Sequence, residues 1–400
     1  MITVEEAIRI IREQTAALPV EKVALADALG RVLAEDIVAD SDLPPFDRAQ
    51  MDGYAVRSAD TAIVPARLRV VGEAAAGRGW HQYLKPGEAI RIMTGAPVPD
   101  GADSVQKVEV TKESDALVEV AEPTEQGQYI VRRATEIRAG ETVLMAGDKI
   151  NAAMMAALAS FGYTEVKVSE RPKVAVLATG SELVAVSEKP AADQIRDSNS
   201  YSLSSYAQLA GATVERLPLA GDDLELLKRE IKDAAGRTDA LILSGGVSMG
   251  IYDFTKSALH ELDAEIFFER VSLRPGKPTV FARLGSTLVF GLPGNPVSVS
   301  VTFNLFARTA LRAMQGCKDA ALREEWAVLA RGVKGSIERA SYLPAQLQTN
   351  NEGQLLAEPL KWGGSSDFVA FARATALIIV PQGVRALDAG TKVRVVQIPG

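Results

Sequence analysis

The chain has 400 residues, 47% apolar and 24% charged, an ordinary globular composition that excludes disordered and fibrous classes and allows roughly two to four domains. Its 44 basic and 51 acidic residues leave a net charge of −7, which argues against nucleic acid or an anionic membrane as a partner gripped through the overall field. A single cysteine, Cys317, and two histidines, His81 and His260, exclude an intrachain disulfide, a cysteine-rich zinc site and a multi-histidine metal site.

Neither histidine lies near a nucleophile motif, so a Ser-His-Asp triad is disfavoured. The opening MITVEEAIRIIREQ carries acids where a signal peptide would carry bases and an apolar core. No window approaches the roughly 18 uninterrupted apolar residues of a membrane span. The expectation is a cytoplasmic protein whose chemistry rests on carboxylates, hydroxyls, backbone amides and Lys/Arg.

In chain order, Thr3 and Glu6 form a capping box for a first helix with Val4, Ala7, Ile8 and Ile11 on one face. A second short helical stretch is expected over 24–33. From 42 the texture turns to prolines, glycines and short apolar runs at 67–72, 89–93, 104–110, 117–120 and 129–132, the pattern of a small β unit. A helix over 152–161 and a strand over 165–168 follow. From 171, strands (174–178, 214–219, 240–243) alternate with helices (201–210, 223–235, one from about 255, and 296–314), which predicts a doubly wound parallel sheet. The stretch 323–400 returns to short strands with turn glycines and reads as a β-barrel or sandwich. The predicted domains are 1–43 with 137–170, then 44–136, 171–320 and 321–400.

Five segments pinned by glycine or proline carry the candidate chemistry. Pro44-Pro45-Phe46-Asp47 runs into Met51-Asp52-Gly53-Tyr54, and Thr94 precedes the Gly95-Ala96-Pro97 turn; stiff turns explain both equally well. Thr179-Gly180-Ser181-Glu182 lies at the carboxyl end of the first parallel strand, where open α/β sheets bind ligands. Glu182 there is a metal or hydroxyl ligand, or part of a helix cap. Ser244-Gly245-Gly246-Val247-Ser248-Met249-Gly250 makes a nest of backbone amides suited to phosphate, with Asp253 placed for Mg²⁺. It matches neither the P-loop nor the dinucleotide fingerprint. Finally, Arg274-Pro275-Gly276-Lys277-Pro278 fixes two cations, and Gly291-Leu292-Pro293-Gly294-Asn295-Pro296-Val297-Ser298 opens a helix whose amides favour an anion. In an acidic chain, these two local patches point to a small anionic ligand.

The stretches PPFDRAQMDGYAVR, RIMTGAPVP, ATGSELV, QIRDSNS, LSGGVSMGIYDF, LRPGKP and GLPGNPVS together resemble the molybdopterin molybdenumtransferase (molybdenum insertase) family, which includes bacterial MoeA and the E domains of plant Cnx-type proteins and gephyrin. They occur in family order and span essentially the whole chain. The resemblance implies a multidomain α/β plus β fold: a central doubly wound α/β domain of molybdopterin-binding type, a front β domain, a small mixed domain and a C-terminal β-barrel. It implies insertion of molybdate into adenylated molybdopterin, with release of AMP and Mg²⁺ assisting. A homodimer follows, its cleft combining the α/β domain of one subunit with Asp52 and Thr94 of the other. Molybdopterin adenylyltransferase and other cofactor-biosynthesis proteins are the implied partners.

By the same resemblance, the nest (Ser244, Gly245, Gly246, Ser248) would hold the nucleotide phosphate. Glu182, Asp222 and Asp253 would place Mg²⁺, and Arg274, Lys277 and Ser298 would bind molybdate. Glu136, Asp197, Pro293, Pro296, Ser365 and Ser366 would be further substrate-binding positions. Two departures stand out. Glu136 occupies the place of a usual aspartate, and Pro344 in Ser341-Tyr342-Leu343-Pro344 replaces a rear-domain arginine, leaving Arg339 or Arg373 as substitutes. Pro344 motivates the alternative of a pterin-binding scaffold without turnover. A stand-alone adenylyltransferase is disfavoured by MDGYAV and the terminal β unit.

Overall fold

A computed structural model describes residues 1–221, 223–247 and 254–398. The chain separates into two compact units, one of residues 1–35, 146–152 and 165–400, the other of residues 36–145 and 153–164.

The first unit is built on a six-stranded sheet. Its strands are β1 (Lys173–Ala178), β2 (Thr213–Arg216), β3 (Ala240–Ser244), β4 (Glu265–Phe268), β5 (Val280–Leu284) and β6 (Thr287–Leu292). They lie in the order β2-β1-β3-β6-β5-β4. Both faces of β1 are covered, as its unbroken apolar run requires. Val174 and Val176 pack with Leu203 and Ala207 of helix α1 (Asn199–Leu209), with Val4 and Ile11 of the N-terminal helix and with Phe303 and Phe306. Ala175 and Leu177 face Leu227 and Ile231 of α2 (Leu224–Ala235) and Leu259 of α3 (Phe254–Glu261).

The all-parallel expectation fails at one edge. β2, β1, β3 and β6 are parallel, but β5 pairs antiparallel with β6, and β4 antiparallel with β5. The cause is local: Gly285, at φ +60°, and Ser286 form a two-residue turn between two apolar runs, the signature of a hairpin. The expected helix over 24–33 is also wrong. Val20–Ala24 is a strand paired with Glu165–Ser169, followed by a single turn at Leu25–Asp27. The alternating burial of that strand shows a period of two prevailing over weak helix propensity.

From β1 the chain moves to β2 on one side and then to β3 on the other, so the loops leaving β1 and β3 diverge around a crevice. Helix α4, which begins at Pro296–Thr302, continues through a wider turn at Phe303–Ala307 to Arg308–Met314. Nearly every residue in it is buried.

The C-terminal strands close into a five-stranded barrel: Ala340–Thr349 pairs with Leu355–Pro359 on one side and Ala376–Val380 on the other, and Glu324–Leu329 and Lys392–Gln397 complete the ring. Leu343, Ala345, Ile378 and Val395 fill its interior, while Tyr342, Leu377, Ile379 and Val396, at alternate positions, pack into the core shared with α4. Leu273–Arg274 adds as a parallel strand to Ala340 and Ser341. The barrel is thereby fixed against the α/β layer at the segment holding Arg274 and Lys277.

The second unit carries a six-stranded sheet in which Gly53–Val56 is flanked by Ser104–Lys107 and Glu88–Ile92. The strand expected over 104–110 ends at Lys107, and Val108–Val110 is a helical turn. Among the described residues no helix is long and apolar enough to cross a membrane.

Candidate active site

Two clefts open on the first unit. The larger, about 1400 Å³, lies at the switch point between β1 and β3 and is lined by Thr179, Glu182, Asn199, Gly245, Gly246 and neighbouring residues. Gly245 and Gly246 adopt φ +99° and +64°, a conformation that side chains resist. The turn is locked from behind: the Thr255 hydroxyl donates to Gly245 O at 3.1 Å and the Thr255 amide to Gly246 O at 3.3 Å. The Gly245 amide is spent on Leu292 O at 3.1 Å, so an anion held in this turn would meet the Gly246 amide.

Asn199 is a site residue that the sequence reading missed. Its Nδ2 donates to Ser244 Oγ at 2.9 Å and to Gly294 O at 2.7 Å, and its Oδ1 is buried without a partner. It ties the loop after β3 to the loop before α4. Asp197, singled out instead, is only 5% exposed and is consumed by the start of α1, where it accepts from the Ser200 amide at 3.0 Å and from the Ser200 hydroxyl. It also lines the larger cleft. Glu182 is exposed on the cleft. Asp222, Ser248 and Asp253 lie outside the described residues. Among the described residues no three His, Cys, Asp or Glu side chains gather as a metal site.

The smaller cleft, about 660 Å³, is shared by the α/β layer and the barrel. Arg274, Lys277 and Ser298 meet there as expected, with Ser365, and with Lys334 and Arg339 from the barrel side. Among the described residues, no carboxylate lines it. Arg274 donates to Gly335 O at 3.3 Å; Arg339 donates from Nη1 to Leu273 O at 3.4 Å, and its Nε is buried without a partner. Ser298, 4% exposed, sits in the first turn of α4. One amide of that turn is already used, because Val297 N donates to Ser365 O at 3.0 Å.

Pro344 lines this cleft as a buried member of the barrel strand. Its carbonyl accepts from Leu360 N at 2.9 Å, half of a ladder pair whose other half a proline cannot make. Arg373 is exposed and lines neither cleft. The barrel's guanidinium in this cleft is therefore Arg339, and the proline at 344 does not leave the barrel side uncharged.

The two clefts share Pro278, Pro293 and Asn295, while Pro296 lines the larger one. Ser365 faces the smaller and Ser366 the larger. Their loop is held at both ends. Asn295 Nδ2 donates to Ser365 Oγ at 2.9 Å, and Asp367 accepts from Gly363 N at 2.8 Å and Ala370 N at 3.1 Å. These amides hold the Asp367 carboxyl below the usual carboxylate range.

In the second unit, Asp52 and Thr94 are brought together across paired strands. Asp52 Oδ1 accepts from the Thr94 amide at 2.6 Å and its hydroxyl at 2.7 Å, which lowers the carboxyl's pKa. Glu136 forms an exposed ion pair with Arg48 at 3.3 Å. Tyr54 and Arg91, opposite each other in register, both donate to Glu113.

Residues 2–162 match the MoeA N-terminal region (domain I and II), residues 175–313 a probable molybdopterin binding domain, and residues 327–398 the MoeA C-terminal region (domain IV). The chain is 34% identical to a molybdopterin molybdenumtransferase of Bacillus subtilis (strain 168), covering 99% of this chain and 94% of that protein. It is also 34% identical to one of Staphylococcus aureus (strain COL), covering 99% and 95%. The crystal structure of a molybdopterin biosynthesis moeA protein from Pyrococcus horikoshii OT3 superposes over all of both chains with a TM-score of 0.85 at 28% identity. With three regional models in order and full-length relatives at this identity, the chain belongs to the MoeA family of molybdopterin molybdenumtransferases.

Proposed function

We propose that the chain inserts molybdate into adenylated molybdopterin, releasing AMP and forming molybdenum cofactor. The observation that carries this reading is the adjacency of two unlike anion sites: a glycine nest, and a carboxylate-free cleft with four cationic side chains, sharing three lining residues. In the proposal, Ser244 and the Gly246 amide hold the phosphates of the adenylated substrate. Arg274, Lys277 and Ser298, joined by Arg339, hold the molybdate oxyanion by charge-assisted hydrogen bonds. The Ser365–Ser366 loop spans both. Molybdate is thereby presented beside the phosphoanhydride whose cleavage frees AMP, an entropic advantage of placing both reactants in one continuous groove.

Mg²⁺ belongs to the proposal. Glu182, with Asp222 and Asp253, would hold it, and it would supply neutralising charge to the phosphates. A mixture of the chain, adenylated molybdopterin, molybdate and Mg²⁺ should yield AMP and active cofactor, and the same mixture with a chelator tests the metal. Binding of the substrate with neither product would favour the scaffold reading, and adenylation of molybdopterin by ATP would favour the adenylyltransferase.

The proposed assembly is a cytoplasmic homodimer with Asp52 and Thr94 completing the partner subunit's cleft, supplied by an adenylyltransferase. Mixing Asp52→Ala with Lys277→Gln subunits should restore part of the activity lost in each, since a mixed dimer retains one intact composite site. A mixture as inactive as its parents would remove the shared cleft.

A further inference from the structure

The far end of α4 carries a group of cations that the proposed reaction does not use. Arg308 and Arg312 lie one turn apart on its last segment, Arg312 about 24 Å along the helix from Pro296 by the usual rise per residue. Arg308 donates to Ala320 O at 3.1 Å and Arg312 to Asp319 O at 3.1 Å, so both guanidiniums lean over the loop that contains Cys317. Cys317 itself is 8% exposed, and its amide donates to Arg312 O.

Two other segments converge here. The loop bearing Lys149 rests on the same turn through Lys318 N, which donates to Gly147 O at 3.4 Å. Arg171 donates to Gly211 O, beside Ala210, whose carbonyl accepts from Gln315 at 2.8 Å. Lys149, Arg171, Arg308 and Arg312 are thus gathered from three stretches of chain. None of them forms an ion pair with a described carboxylate, although Lys318 next to them pairs with Asp148 at 3.2 Å.

A chain with a surplus of acids has no general shortage of counter-charges, and like charges held together cost energy unless something neutralises them. Burial, followed by repulsion from Arg312, pushes Arg308 down to about 10, and burial with repulsion from Arg312, Arg308 and Arg171 lowers Lys149. The carbonyl contacts explain why Arg308 and Arg312 are held in place. They do not involve Lys149, which is exposed and has no ion-pair partner among the described residues.

We propose that Lys149, Arg171, Arg308 and Arg312 form a second anion site, selective for a small, multiply charged oxyanion of the phosphate class. Half-buried guanidiniums over a closed loop favour a compact ion. The ion is either free phosphate or the phosphate of a nucleotide.

The test uses the full chain and a Lys149→Gln/Arg171→Gln double variant, both positions being exposed. Melting is followed in inorganic phosphate, in AMP, and in sodium chloride of matched ionic strength. Phosphate should raise the wild-type melting temperature beyond the chloride control, and the double variant should lose at least half of that rise. At low salt without phosphate, the double variant should melt above the wild type because repulsion is relieved. A parallel loss of the AMP response would assign the site to nucleotide phosphate; a loss confined to inorganic phosphate would assign it to the free ion. An unchanged phosphate response, or a double variant that melts below the wild type at low salt, overturns the proposal.

Discussion

Replacing Lys277 with glutamine should raise the molybdate concentration needed for half-maximal cofactor formation by roughly ten- to a hundredfold. Lys277 is half-buried in the smaller cleft, where no carboxylate competes for its ammonium. A charge-assisted contact of this type contributes about 1.5–3 kcal/mol, and about 1.4 kcal/mol corresponds to a factor of ten. Lys277 does not line the nest cleft, so affinity for adenylated molybdopterin should change little. The check is a molybdate titration of cofactor formation, with substrate affinity measured in parallel. Equal molybdate dependence in variant and wild type would remove Lys277 from the oxyanion site.

Gly246→Ala should weaken binding of the adenylated substrate at least tenfold. At φ +64°, an added Cβ would lie 2.7 Å from Thr255 Oγ1 and 3.3 Å from Thr179 Oγ1. Left-handed backbone alone costs an alanine roughly 1–2 kcal/mol, and the clash then forces the loop, and with it the nest amides, to move. Gly285→Ala is the matched control. Its φ is +60° with nothing within 4 Å, and it sits in the β5–β6 turn. Both variants should lose thermal stability, Gly246→Ala the more because of its clash, and only Gly246→Ala should lose substrate affinity. If both lose affinity alike, the nest is not where the substrate binds.

Much of the site was legible because glycine and proline write backbone geometry directly into sequence. The turn at Gly245 and Gly246 and the cations around Pro275 stood out in the sequence, and the structure brings Arg274, Lys277 and Ser298 into one cleft. What the sequence concealed depends on distant pairing. Asn199 gains its role only because α1 starts beside β3 and the Gly294 loop, though the Asp-Ser-Asn run before a helix was an available signal.

Arg339 was one of two substitutes left open. Closure of the barrel, with Leu273–Arg274 paired to Ala340 and Ser341, decides it by carrying Arg339 to the cleft and leaving Arg373 exposed. The β5–β6 hairpin was missed for another reason. The apolar runs at 280–284 and 287–292 received no assignment, and the Gly285-Ser286 turn between them went unweighed.

In the proposed mechanism the two adjoining clefts work as one active site. The most direct measurement is single-turnover AMP release from adenylated molybdopterin as molybdate is varied. Release should rise and saturate with molybdate, with one active cofactor formed per AMP. Full-rate AMP release without molybdate, or molybdate binding that leaves AMP release unaltered, would contradict it.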